Sequence, residues 1–265
     1  MNRYILPVVT LSLAVIVLVD RVQHVRDLRH TQASAGGETT AVAPARANRP
    51  EASDRAEVGR AGATAPAPAL DRLARLAARQ QLAAVAGYAY LDSLLASTDS
   101  VVRRWPDRTA GPLRVAIVEG GADGYRPRMA TFIRRALALW EETDAGVQFE
   151  TVTDTTTADI VVRWIDRFPF DRAGQTDITW DRAGRVRHAA ISLAIRTSTG
   201  LRLPDASLFA VAVHETGHSI GLPHSADSAD VMFPATRVGV LTPRDRRTAQ
   251  VLYALPIGPV TDTIR

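Results

Sequence analysis

The stretch His214-Glu215-Thr216-Gly217-His218-Ser219-Ile220-Gly221-Leu222-Pro223-His224 constrains this chain more than any other. Residues four apart on a helix share one face, so His214 and His218 present their imidazoles side by side, one turn apart. Glu215 lies beside them, within reach of a water on a metal without being a ligand. Gly221 lets the backbone leave the helix in a left-handed conformation that a Cβ resists. That turn brings His224 back as a third nitrogen. Three of the six histidines fall in this segment. Three protein ligands with one open position describe a catalytic zinc, because a structural zinc is closed by a fourth side chain. A buried helix with satisfied core histidines has to explain three His, a carboxylate and a glycine together, and it is the weaker reading.

The ligand set implies a mechanism. Three neutral imidazoles leave the charge of a zinc ion largely intact, so water bound there becomes much more acidic. Glu215 is placed to take that proton as a general base and to return it to a departing amine.

With Asp230-Val231-Met232-Phe233-Pro234 following closely, the segment resembles the zinc-binding helix and Met-turn of the metzincin metalloproteases, most nearly the matrixin branch. The matching residues are His214, Glu215, His218, Gly221, His224, Ser225-Ala226-Asp227 and Val231-Met232-Phe233-Pro234. A weaker similarity runs from Trp105 to Leu255. The resemblance implies a zinc-dependent endopeptidase acting on extended peptide or protein substrates, with Met232 as a hydrophobic floor beneath the metal. It also implies an edge strand that pairs antiparallel with the substrate. Gln175, Thr176, Asp177, Ile178, Thr179 and Trp180 are the candidates for that edge. Pro234, Ala235 and Thr236 are the candidate lining for the side chain just beyond the scissile bond, with Thr236 standing where animal matrixins commonly have Tyr.

Two further family features are altered. Animal matrixins bind a second zinc and calcium through a loop before the edge strand. Phe168-Pro169-Phe170-Asp171 faintly resembles that loop and His188 falls near one ligand position, but the other His residues are missing. His188 therefore reads as an ordinary strand histidine. Calcium can be held by backbone carbonyls that leave no sequence trace, so Ca2+ is left open with no ligand assigned. Many animal matrixins are held latent by a propeptide Cys; this chain has no Cys at all. Disulfides are excluded for the same reason.

All 32 basic residues are Arg, which gives a sequence pI near 10.1 at a net charge of only +4. The 28 acidic residues are interspersed among them, and no dense basic patch with interleaved aromatics suggests nucleic-acid binding. Tyr4 to Val19 is a nearly continuous apolar run, about 24 Å long as a helix, a little short of a ~30 Å bilayer core. It reads as a signal anchor or signal-peptide core within residues 1–30, so the membrane is an expected partner. Arg21, Arg26 and Arg29 follow the run and argue for a cytoplasmic domain, whereas the family resemblance implies export. The expected location is membrane-anchored and extracytoplasmic, or secreted if the run is cleaved.

Residues 31–68 are rich in Ala, Gly, Thr, Pro and Arg and read as a disordered linker. Residues 69–104 hold a helical segment, with Leu70, Leu73, Leu76, Ala77, Leu82, Tyr88, Leu91 and Leu94 at roughly helical spacing and Gly87 as a divider. The catalytic domain is expected over 105–255 and a tail over 256–265.

Within that domain Leu113 to Val118 is a first strand. Met129, Phe132, Ile133, Ala136, Leu137 and Trp140 then mark one stripe of a helix. Val147 to Val152 and Ile160 to Trp164 are further strands, and Gln175 to Trp180 pairs with Val186 to Ala194 as a hairpin. Ala206 to Ile220 is the metal helix with Asp205 as N-cap, and a last helix opens at Thr242-Pro243-Arg244-Asp245. The fold class is α+β: a metzincin-like, twisted, mostly parallel sheet with an antiparallel edge strand. Two packing helices and the metal helix accompany it, and a hydrophobic N-terminal helix precedes it. A catalytically quiet, zinc-containing peptide-binding module and a protease dedicated to one partner are the alternatives.

Overall fold

In chain order the elements are α1 (Ala67–Ala84), β1 (Val101–Val102), β2 (Leu113–Ile117), α2 (Arg128–Glu141), β3 (Phe149–Val152), β4 (Ile160–Ile165), β5 (Gly174–Trp180), β6 (Val186–Ala194), α3 (Asp205–Ser219), α4 (Pro243–Ala254) and β7 (Gly258–Pro259). The computed structural model describes residues 67–85, 87–91, 101–107 and 111–260.

Five strands form the main sheet in the order β3-β2-β4-β6-β5. β3, β2, β4 and β6 run parallel, and β5 lies antiparallel to β6 at one edge. This is the mixed sheet expected from the sequence. Its cause is the strand period of two. Leu113 and Val115, Ile160, Val162 and Trp164, and Ala189, Ile191 and Leu193 bury one face in the main core. On the other face Ala116 and Val161 form a small cluster with Ala158. Parallel neighbours need a crossover, and α2 supplies it between β2 and β3.

The stripe on α2 packs as its spacing predicts: Met129, Ile133, Ala136, Leu137 and Trp140 are buried, Ala130 joins them, and Phe132 is partly buried at the margin. The Trp140 indole N–H donates to the Val213 carbonyl at 2.9 Å and ties α2 to α3. α3 is buried on nearly every side, from Leu208 through Val213 to Ser219, which is why it shows little amphipathic patterning.

The N-cap expected at Asp205 is corrected. Pro204 occupies the cap position without a side-chain bond, and Asp205 is the first helical residue. Its carboxylate instead receives Arg126 and Arg128, each at 2.6 Å, from the chain entering α2. Two guanidiniums compete successfully for the oxygens that a cap would need, and the acid still favours the helix dipole from the first turn.

α4 begins as expected, in a full capping box between Thr242 and Asp245, with Pro243 at its start. The Thr242 hydroxyl also lies 2.7 Å from Asp230. Thr242→Ala therefore removes a cap and a tie to the preceding loop together, costing about 1–2 kcal/mol. A melting temperature lower by about 2–8 °C is expected in a thermal scan.

The helical segment ahead of the sheet is part of this body. Ala78, Leu82, Val85, Ala89, Tyr90 and Leu91 belong to the main core. The stripe differs from the expected one, since Leu73, Leu76 and Tyr88 are exposed. Ala78, Leu82 and Val85 recur at i, i+4 and i+7 and make the buried stripe. Gly87 turns the chain at φ +83° as anticipated. β1 pairs with β7, so residues on both flanks of the 105–255 span close on each other. Among the described residues no helix is long and apolar enough to cross a membrane. The apolar run at Tyr4 to Val19 and the linker up to residue 66 lie outside the described residues.

Candidate active site

α3 carries His214, Glu215 and His218, and its end delivers His224. Gly221 adopts φ +100°. The Leu222 N–H donates to the Gly217 carbonyl at 3.1 Å and the Gly221 N–H to the His218 carbonyl at 2.8 Å, the paired closure of a helix ending in a left-handed residue. A Cβ on Gly221 would stand 2.7 Å from the Arg103 carbonyl oxygen, so glycine is required for space as well as for φ. One more α3 carbonyl, that of Ser219, accepts the Trp105 indole N–H at 2.8 Å.

The three imidazoles converge. His218 Nε2 lies 3.1 Å from His214 Nε2 and 3.1 Å from His224 Nε2. The ring centroids are 4.7 to 5.3 Å apart. Two nitrogens on a tetrahedral zinc, each about 2.0–2.1 Å from it, stand roughly 3.3–3.4 Å apart, close to this spacing. Among the described residues this is the one group of His, Cys, Asp or Glu able to hold a metal.

The proton inventory gives an independent fit. His214 Nδ1 donates to the Val231 carbonyl at 2.7 Å and His218 Nδ1 to the Leu222 carbonyl at 2.8 Å. A carbonyl has no proton to give, so each ring spends its N–H there, and Nε2 carries a lone pair. Burial pushes the His214 pKa down to about 4, with the Val231 bond opposing. Burial, then the neighbouring imidazoles, hold His218 well below its ordinary value. Two lone pairs facing each other at 3.1 Å repel unless a cation lies between them. The donor set fits a divalent metal, and imidazole nitrogens suit zinc.

Glu215 is buried against β5. The Thr176 hydroxyl donates to Glu215 Oε2 at 2.6 Å and lies 3.0 Å from the Glu215 carbonyl. Burial raises the Glu215 pKa to about 7; Thr176 and then Arg172 oppose the rise and Asp177 adds to it. A divalent cation close by pulls such a carboxyl back toward ionisation. Gly174 makes room: a Cβ there would overlap the Glu215 carboxylate and Val211.

Met232 is fully buried. Its thioether and the Trp140 ring fill the space where Gly217 would carry a Cβ, so the turn at Met232 packs directly onto α3 between its two histidines. Asp245 accepts the Val231 N–H at 3.0 Å and the Tyr90 hydroxyl at 2.8 Å. Ser225 donates to Asp230 at 2.5 Å and the Ser225 N–H to the Met232 carbonyl at 2.9 Å. The loop that presents His224 is thereby pinned at both ends.

A model of the family described as Matrixin (Peptidase_M10) matches residues 104–254, more than half of the 265-residue chain. The chain belongs to the matrixin family. This matrixin is 35% identical over 111 residues to a hatching enzyme of Paracentrotus lividus, an alignment covering 38% of this chain and 18% of that protein. It is 31% identical over 126 residues to stromelysin-2 of Rattus norvegicus, covering 46% of this chain and 26% of that protein. The chain thus spans well under a third of the length of these relatives.

The other expected site residues fall in two places. In this matrixin Gln175 accepts from Arg172 at 2.7 Å and donates to Asp177 at 2.8 Å. Ile178 packs partly into the core, Thr179 is exposed, and Trp180 is exposed with the Arg103 guanidinium 4.6 Å from its ring centroid. Pro234 and Ala235 are exposed after the turn, and the half-buried Thr236 donates its N–H to the Phe233 carbonyl at 3.0 Å. His188 on β6 stands apart from the metal cluster. Sequence reading gave Gly174 and Tyr90 no part in the site, and took Asp230 and Asp245 only as part of the Met232 stretch and of the last helix's start. Only Gly174 left a signal: a glycine at the head of a strand often marks a close approach.

Proposed function

We propose that this matrixin is a zinc-dependent endopeptidase in which His214, His218 and His224 hold the ion and Glu215 is the general base. The observation that carries the reading is the pair of lone-pair nitrogens facing each other at 3.1 Å, with a third imidazole equally near His218. Zinc held there supplies a Lewis acid that acidifies water and polarises a substrate carbonyl. Glu215, fixed against β5, takes a proton on its carboxylate and returns it to the leaving amine. The two backbone carbonyls at Val231 and Leu222 hold the imidazoles in the tautomer that leaves Nε2 free. Met232 excludes water from beneath the rings.

β5 is the edge strand of the sheet and is packed beside α3, which suits it to receive an extended peptide by strand addition. Gln175 to Trp180 then set the register of the substrate, and Pro234, Ala235 and Thr236 flank the side chain beyond the scissile bond. The substrate is a peptide or protein. We place the enzyme outside the cytoplasm, secreted or tethered through Tyr4 to Val19.

The test uses the purified full chain, with zinc counted per molecule and a mixed peptide library incubated with and without a chelator. One zinc per chain and cleavage abolished by the chelator are expected. Zinc without cleavage would replace this reading with a peptide-binding module, and absence of zinc would end both.

A further inference from the structure

β5 does more than edge the sheet beside α3. Gly174 and Thr176 lie two apart on a strand, so both face α3, and both meet Glu215. At Gly174 the missing Cβ leaves the space that the Glu215 carboxylate and its Cγ occupy. At Thr176 the hydroxyl donates to Oε2 at 2.6 Å, in the short range of a charge-assisted bond. The β-strand restricts the χ1 of a β-branched residue, so this hydroxyl is aimed by the backbone rather than by a mobile side chain. Gln175 and Asp177 point to the other face and bond each other there at 2.8 Å.

We propose that Thr176 is a positioning residue for the general base: its hydroxyl fixes which oxygen and which rotamer of Glu215 face the reacting water. The inference rests on the endopeptidase reading and adds a second element to it. The strand that takes the substrate backbone also orients the base, so peptide register and base geometry are set by the same few residues. Thr176 keeps its own proton throughout. Its contribution is orientation, which converts an encounter between base and water into a pre-arranged one.

Thr176→Val is nearly isosteric and removes only the hydroxyl; Thr176→Ser keeps it. In the zinc-loaded full chain, Thr176→Val is expected to lower kcat about 10- to 100-fold, as loss of a hydrogen bond to a charged group does. KM should stay within about twofold, zinc content should not change, and Thr176→Ser should recover kcat to within about threefold. A merely structural Thr176 would shift zinc content and KM as well, and Ser would not restore kcat alone.

A second measurement needs no activity. In the zinc-free chain Thr176→Val should lower the melting temperature by about 3 °C or more when Glu215 is present, and by under about 1 °C in a Glu215→Ala background. An unchanged kcat in Thr176→Val, a Thr176→Ser as slow as the Val variant, or equal melting shifts in both backgrounds overturns the proposal. Failure of the unsubstituted zinc-loaded chain to cleave any peptide sinks the endopeptidase reading instead, and the melting comparison still decides whether Thr176 holds Glu215.

Discussion

Glu215→Ala is expected to bind zinc as the parent chain does and to cleave peptides at least about a thousandfold more slowly. General base catalysis is worth roughly 10²–10⁴-fold, and the buried setting of this carboxyl places it toward the upper end. Burial raises its pKa to about 7, and a zinc ion held by the imidazoles would oppose that rise, so the group can both accept a proton and release it again. The His214 and His218 imidazoles do not depend on it, because they are oriented by backbone carbonyls and not by Glu215. Zinc per chain by elemental analysis, beside kcat on one good peptide, checks both halves. Full activity in this variant would refute the role assigned to Glu215.

His218→Ala has the largest expected effect on the metal. His218 is the central ring, with its Nε2 3.1 Å from each of the other two. Its loss leaves two nitrogens, and zinc affinity in a competition titration against a chelator should fall by at least about a thousandfold. Stability follows by linkage. Zinc at a thousand times its Kd stabilises the native state by about 4 kcal/mol, roughly 8–16 °C in melting temperature for a domain of this size. The parent chain should show that difference between zinc-loaded and chelated forms, and His218→Ala should show almost none. A similar zinc-dependent shift in the variant would mean that the ion sits elsewhere.

The motif made α3 and its imidazole cluster legible before any coordinates, because i and i+4 spacing, a left-handed glycine and a third His leave few geometries open. The sheet was also legible. Val115, Ile160, Val162, Ile191 and Leu193 fall in short, bounded apolar runs, and the Asp181 to Gly184 turn announces the hairpin. The Thr242 cap could be read because its chemistry is local.

What stayed hidden was non-local. Tyr90 meets Asp245 across 155 positions and Thr176 meets Glu215 across 39, and neither pair leaves a periodicity in the chain. Asp205 was misread because local propensity favours a cap, while two arginines from another element outbid the helix for its oxygens. The α1 stripe was misread by weighting the large residues Leu73 and Leu76. An alanine, Ala78, is buried instead.

Residues 78 to 91 precede the span matched by the family, yet they are threaded into its workings. The Tyr90 phenol grips Asp245, Asp245 grips the Val231 amide, and the Val231 carbonyl grips the first of the three rings. A cut that trimmed the polypeptide to the start of that matched span would remove this clasp and bare the core surface that Leu82 and Val85 cover. Shortening past Ala78 is therefore expected to loosen the loop that carries Val231. Recombinant versions cut to begin at the tryptophan of position 105 should prove poor keepers of their ion.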